Sequence, residues 1–129
     1  MTAHIALASF LYVLLTIARA PKIWGIGKNP DGSNPWAAVE PRISANLSNQ
    51  FEWPVLFYVA CLLLMQNKSA MAAGVWLAWI FFLGRVAHSC VQILSTNIRL
   101  RGLVFTINFL ATLGLWVVVL LSFQAGSAA

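Results

Sequence analysis

Glu52, Arg85 and His88 are ionisable side chains set deep inside long apolar runs of the chain. Charge in such surroundings is expensive, so these groups mark either a structural pair or a functional site. Their spacing joins them to other polar residues. Arg42, Asn49 and Glu52 stand seven and three residues apart, which puts them on one face of a helix. Arg85, His88 and Gln92, three and four apart, share a face of another. Glu52 and Arg85 each lie about ten residues from the same end of their helices, roughly 15 Å deep at 1.5 Å per residue. An ion pair between them is the simplest way to bury both.

The two stripes would form a hydrophilic cleft, with Arg101 at its mouth and Arg19 closing the first helix on the same side. A polar zipper between helices would explain the stripes without a ligand. The charge balance favours a binding site: one carboxylate faces Arg42, Arg85, Arg101 and Arg19, whereas a zipper needs one cation per anion. That surplus asks for an anionic, polar ligand from the aqueous side, while lipid could deliver an apolar one.

Four elements must position these groups. The 129 residues are 60 % hydrophobic and 9 % charged, with mean hydropathy +0.81. A soluble domain averages about 25 % charged residues, and this chain could not cover its own surface with polar groups. A lipid environment resolves that. Crossing the hydrocarbon core takes about 20 apolar residues, and the chain offers His4 to Ala20, Ile43 to Met65, Ala70 to Leu94 and Leu103 to Phe123. The expected fold is all-α, a single domain over 1–129 built as an antiparallel bundle of four transmembrane helices. A cleaved signal peptide is the rival for the first run. It is disfavoured by the lack of a basic leader and of a cleavage site before Pro21 and Lys22.

Pro41 fits the first turn of the second helix, and Pro54 should kink that helix just beyond Glu52. Gln66-Asn67-Lys68-Ser69 reads as a tight turn, Ser95 to Gly102 as a short basic link, and the tail after Gln124 as frayed. Gly74 with Ala78, and Gly84 with Ala87, offer small surfaces for close helix approach. Asn108 and Thr112 share a face of the last helix. Cys61 and Cys90, at different depths, should be buried packing residues and not a disulfide.

Formal charge is +5. Arg19, Lys22, Lys28 and Arg42 flank the first connection and Arg99 and Arg101 lie in the third, while the opposite side has only Lys68. By the positive-inside rule the first and third connections face the cytoplasm and both termini face away. No metal-ligand cluster, catalytic triad, phosphate loop or nucleic-acid motif is present, so neither a metal nor a nucleic acid is expected. An ion or solute channel is disfavoured because the polar stripe stops halfway. Beyond it, Phe57 to Met65 faces Met71 to Phe81 with little polarity except Tyr58.

Leu83-Gly84-Arg85-Val86-Ala87-His88-Ser89 resembles the Gly-Arg-Val-Ala-His signature of the MAPEG family, the membrane-associated proteins of eicosanoid and glutathione metabolism. Asn49-Gln50-Phe51-Glu52 followed by Pro54 resembles the family's Asn-x-x-Glu motif. Arg19 followed by Asn29-Pro30-Asp31 looks like the end of its first helix and the ensuing loop. Arg101 stands sixteen residues after Arg85, where the family places a glutathione-binding arginine.

This resemblance covers four spans in the same order. For a bacterial-type member it implies a homotrimer in the inner membrane, with glutathione as cosubstrate bound between subunits near the cytoplasmic face. By the same resemblance Glu52 receives the γ-glutamyl ammonium. Arg19, Arg42 and Arg101 meet the carboxylates or the thiolate, Arg101 carrying the chemistry. Asn49, Arg85 and His88 organise the pocket, joined by Gln92. The departures are specific: Gln92 replaces a tyrosine one turn past the histidine, and Gly102 and Phe105 stand where prostaglandin synthase has serine and tyrosine. They argue against prostaglandin synthesis. Two functions remain: a glutathione-dependent transferase or peroxidase acting on lipophilic small molecules, and a non-catalytic trimer binding a lipid or protein partner.

Overall fold

The computed structural model describes residues 1–66 and 71–127, all of its regular structure helical. The turn expected at Asn67-Lys68-Ser69, together with Ala70, lies outside the described residues. Five helices follow in order: α1 Thr2–Ile23, α2 Glu40–Asn49, α3 Pro54–Gln66, α4 Met71–Leu94 and α5 Ile98–Ser127. With α2 and α3 taken as one interrupted rod, four of these units are long and apolar enough to cross a membrane. The protein is an all-α four-helix membrane bundle.

The second span is broken outright, where the sequence suggested a kink. Pro54 has no N–H for the carbonyl of Gln50 and its ring crowds that carbonyl, so α2 stops at Asn49 and α3 starts at Pro54. Between them the amides of Gln50 and Phe51 tighten onto Leu47 and Ser48, three residues back, at 3.0 Å each. Such turns are the usual adjustment at a helix end. At the other connection Asn97 caps α5 early: its Oδ1 accepts the Leu100 N–H at 3.1 Å. The link therefore shrinks to 95–97. The expected frayed tail is instead helix to Ser127, carried past Gly126 despite the poor helix propensity of glycine.

Two apolar clusters hold the bundle. Leu11, Leu15 and Ala18 of α1 meet Ile43 and Leu47 of α2 at one end. Phe57, Ala60 and Leu64 of α3 meet Phe81 of α4 and Ala111, Leu115 and Val119 of α5 at the other. Phe57 and Phe81 stack there with ring centroids 4.0 Å apart. α4 and α5 form the closest seam, which Gly84 permits: a Cβ there would collide with Asn108 Oδ1. Asn108 and Thr112 are both fully buried. The outside is as apolar as the inside, with Leu94 80 % and Trp76 70 % exposed, as a lipid-facing surface requires.

Candidate functional site

A polar layer fills the interior beside the helix break, and Gln50 is its centre. Its Oε1 accepts from Arg85 Nε at 3.1 Å and lies 2.9 Å from His4 Nε2. Its Nε2 donates to Asn46 Oδ1 and Ser89 Oγ, both at 3.2 Å. Because that oxygen can only accept, His4 carries its proton on Nε2 and accepts at Nδ1 from the Tyr58 hydroxyl, 2.6 Å away. Arg85 Nη2 donates to the Asn49 carbonyl at 3.1 Å, an oxygen that an unbroken helix would have given to residue 53. The arginine thus satisfies a carbonyl freed by the helix break, one residue before the carbonyl that Pro54 itself cannot serve.

The expected Glu52–Arg85 ion pair is not formed. Arg85 is fully buried, Glu52 is exposed, and among the described residues the salt bridge is Arg19–Glu40. The reason is geometric. Arg42, Asn49 and Glu52 share a face only if the helix is continuous, and the interruption at 50–53 turns Glu52 away. Cys61 and Cys90 are free, as read from the sequence, but neither is buried: Cys61 is half-buried and Cys90 exposed. Cys90 stands five residues past Arg85, across the helix from the Arg85, His88 and Gln92 stripe, so it faces outward when the stripe faces in.

Five of the sequence-derived residues come together at the end that carries the 95–97 link. One open cavity of about 330 Å³ is lined by Asn49, His88, Gln92, Arg101, Gly102 and Phe105. A second, of about 310 Å³, shares Gln92 and Arg101 and adds Arg42, Ser95 and Thr96. Gln92 Oε1 accepts from Asn46 and Asn49, at 3.0 and 3.2 Å. Both donors being spent on that oxygen, the Gln92 amide nitrogen is the group left for the cavity. His88 is buried, its ring 5.9 Å from that of Phe105, and its Nδ1 has no hydrogen-bond partner. The inner cavity offers amides, an imidazole and a guanidinium, and no side-chain hydroxyl among its lining residues.

Arg19 lines neither cavity. Its Nε donates to Glu40 at 2.7 Å and its Nη2 to Ser44 at 3.0 Å, clamping α1 onto α2. Arg85 lies sealed behind the cleft, and Glu52 is exposed at the break. Sequence reasoning gave no role to Gln50, Asn46, His4 or Ser89. The available signal was the i, i+4 pairing of Asn46 with Gln50 and the position of Gln50 four residues before Pro54.

Comparison with protein families matches residues 1–121 of the 129-residue chain to the MAPEG family. The chain belongs to the MAPEG family. No curated protein and no solved structure matches it significantly. A membrane protein of eicosanoid and glutathione metabolism type accords with the four apolar spans. Within this MAPEG chain, Gly84, Arg85 and His88 acquire distinct physical roles. Gly84 admits Asn108, Arg85 closes the helix break, and His88 faces the cleft.

Proposed function

We propose that this MAPEG protein is a glutathione-dependent transferase or peroxidase acting on lipophilic electrophiles dissolved in the membrane. The observation that carries this reading is the cationic cleft, where Arg42 and Arg101 flank the amides of Asn49 and Gln92 and the unpartnered His88. Glutathione brings two carboxylates, which suit the two guanidinium groups, and a thiol. A free thiol has a pKa of about 8.5 and becomes a strong nucleophile when a neighbouring cation stabilises its thiolate. Arg101 is the cation common to both cavities, and it takes that role here.

Glu52 supports a homotrimer. A carboxylate exposed on the protomer at membrane depth is costly against lipid, and a second copy packed over the break would cover it. There it would complete the cleft and receive the glutathione ammonium. The cleft lies at the end richest in Arg and Lys, which the positive-inside rule turns toward the cytoplasm and its glutathione. Both termini then face away, in the inner membrane for a bacterial protein.

The alternative is a non-catalytic trimer that holds a lipid or protein partner through the same cleft. It is favoured by one observation, that Gln92, Gly102 and Phe105 leave the inner cavity without a hydroxyl to hold the sulfur. Thermal unfolding of the purified protein with and without millimolar glutathione separates the two. A ligand at 100 times its Kd stabilises by about 2.7 kcal/mol, so the transferase reading predicts a clear rise in melting temperature. No rise sinks it.

A further inference from the structure

A third basic feature lies apart from the cleft, at the same end of the bundle. An open pocket of about 400 Å³ sits between the end of α1 and the 24–39 connection, lined by Pro21, Lys22, Lys28, Gly32, Asn34 and Glu40. It shares no lining residue with either cavity of the cleft. Each nearby carboxylate has one oxygen engaged, and Glu40, the one that lines the pocket, is ion-paired with Arg19. Glu40 accepts from Arg19, and Asp31 Oδ1 accepts the backbone N–H and the hydroxyl of Ser33, at 2.9 and 2.6 Å. The two Ser33 bonds hold the Asp31 carboxyl below its ordinary value of 3.8, so it stays an acceptor for the turn. Among the described residues neither Lys22 nor Lys28 has a salt-bridge partner.

The pocket is built, not draped. Asn34 Nδ2 donates to the Ala18 carbonyl at 3.2 Å, and the Asn29 N–H to the Ser33 carbonyl at 3.0 Å. Gly25, at φ +72°, turns the chain at the foot of α1 and leaves the Lys28 stem room to pass. Directly beside the lysines, Ile23, Trp24 and Ile26 are each more than half exposed. An exposed indole at the end of a membrane span belongs in the headgroup layer, and exposed isoleucines beside it favour the adjoining hydrocarbon.

We propose that this pocket binds the headgroup phosphate of an anionic phospholipid. Lys22 and Lys28, neither of them ion-paired among the described residues, supply the positive charge, Asn34 lines the pocket, and Ile23, Trp24 and Ile26 lie along the glycerol and upper acyl chains. A zwitterionic lipid brings its own cation into a pocket where two lysines repel it and the one lining carboxylate is paired with Arg19.

The test titrates the detergent-purified protein with phosphatidylglycerol, phosphatidylcholine or inorganic phosphate, reading bound ligand by native mass spectrometry. Phosphatidylglycerol should bind at least tenfold more tightly than phosphatidylcholine. Lys22→Gln and Lys28→Gln should each weaken it about fivefold, the effect of one lysine near an anionic surface. Trp24→Ser should weaken lipid binding too. Arg99→Gln, an exposed cation at the same end that does not line the pocket, should leave it unchanged. Equal binding of the two lipids overturns the proposal, as does an Arg99 effect matching that of Lys28, which would mean diffuse surface attraction. Inorganic phosphate binding as tightly as the lipid also overturns it, assigning the pocket to a free anion.

Discussion

Arg85 is a sealed guanidinium with no carboxylate in contact, tolerated because the opposite helix opens and turns a backbone carbonyl toward it. Its removal would leave the Asn49 carbonyl and one bond to Gln50 unsatisfied. A buried polar group deprived of its partner costs about 1–3 kcal/mol, so Arg85→Ala should lower stability by about 2 kcal/mol or more. Glu52→Gln should cost far less, since Glu52 makes no contact with that guanidinium. Thermal unfolding of the two variants checks this, and similar losses from both would restore the ion pair. The depth and cost of Arg85 were legible in the sequence, because an arginine amid apolar residues is visible as such. Its partner was not. Gln50 is polar but uncharged, and only the fold shows that His4, Asn46, Ser89 and Arg85 converge on it.

Helices that cross a membrane advertise themselves by apolar length, so the four-span plan was readable from composition alone. Local chemistry located the interruption as well, since Pro54 must leave a carbonyl unpaired. What the sequence did not show is how far the disturbance spreads: four residues leave the α-helix, and that rotation carries Glu52 off the polar stripe. The outward position of Cys90 was legible in the spacing, since it falls across α4 from the Arg85, His88 and Gln92 stripe. The α4–α5 seam rests on the absence of a side chain at Gly84. Gly84→Val would drive Asn108 out of its place, and overpacking of this kind costs about 1–3 kcal/mol. The expected outcome is a lowered melting temperature, with Asn108→Ala partly restoring it by making room. A Gly84→Val variant of unchanged stability would show that the seam has slack.

The whole molecule divides its charge by position. Arg85 and Arg19 are engaged in structure, Arg42 and Arg101 stand at the open cleft, and Lys22 and Lys28 line a separate pocket at the same end. Family membership accords with the four-helix plan. It does not by itself say which arginines would meet the proposed glutathione; Arg19 is held by Glu40 and Ser44, whereas Arg42 and Arg101 line the cavities, which supports the latter pair. Calorimetric titration of glutathione into the wild type and the Arg101→Gln and Arg19→Gln variants tests this most directly. Arg101→Gln should weaken binding at least tenfold, the loss of one charge-assisted hydrogen bond of about 1.5–3 kcal/mol, while Arg19→Gln should change it by much less. Loss of binding in Arg19→Gln with Arg101→Gln unaffected would contradict the cleft as the glutathione site.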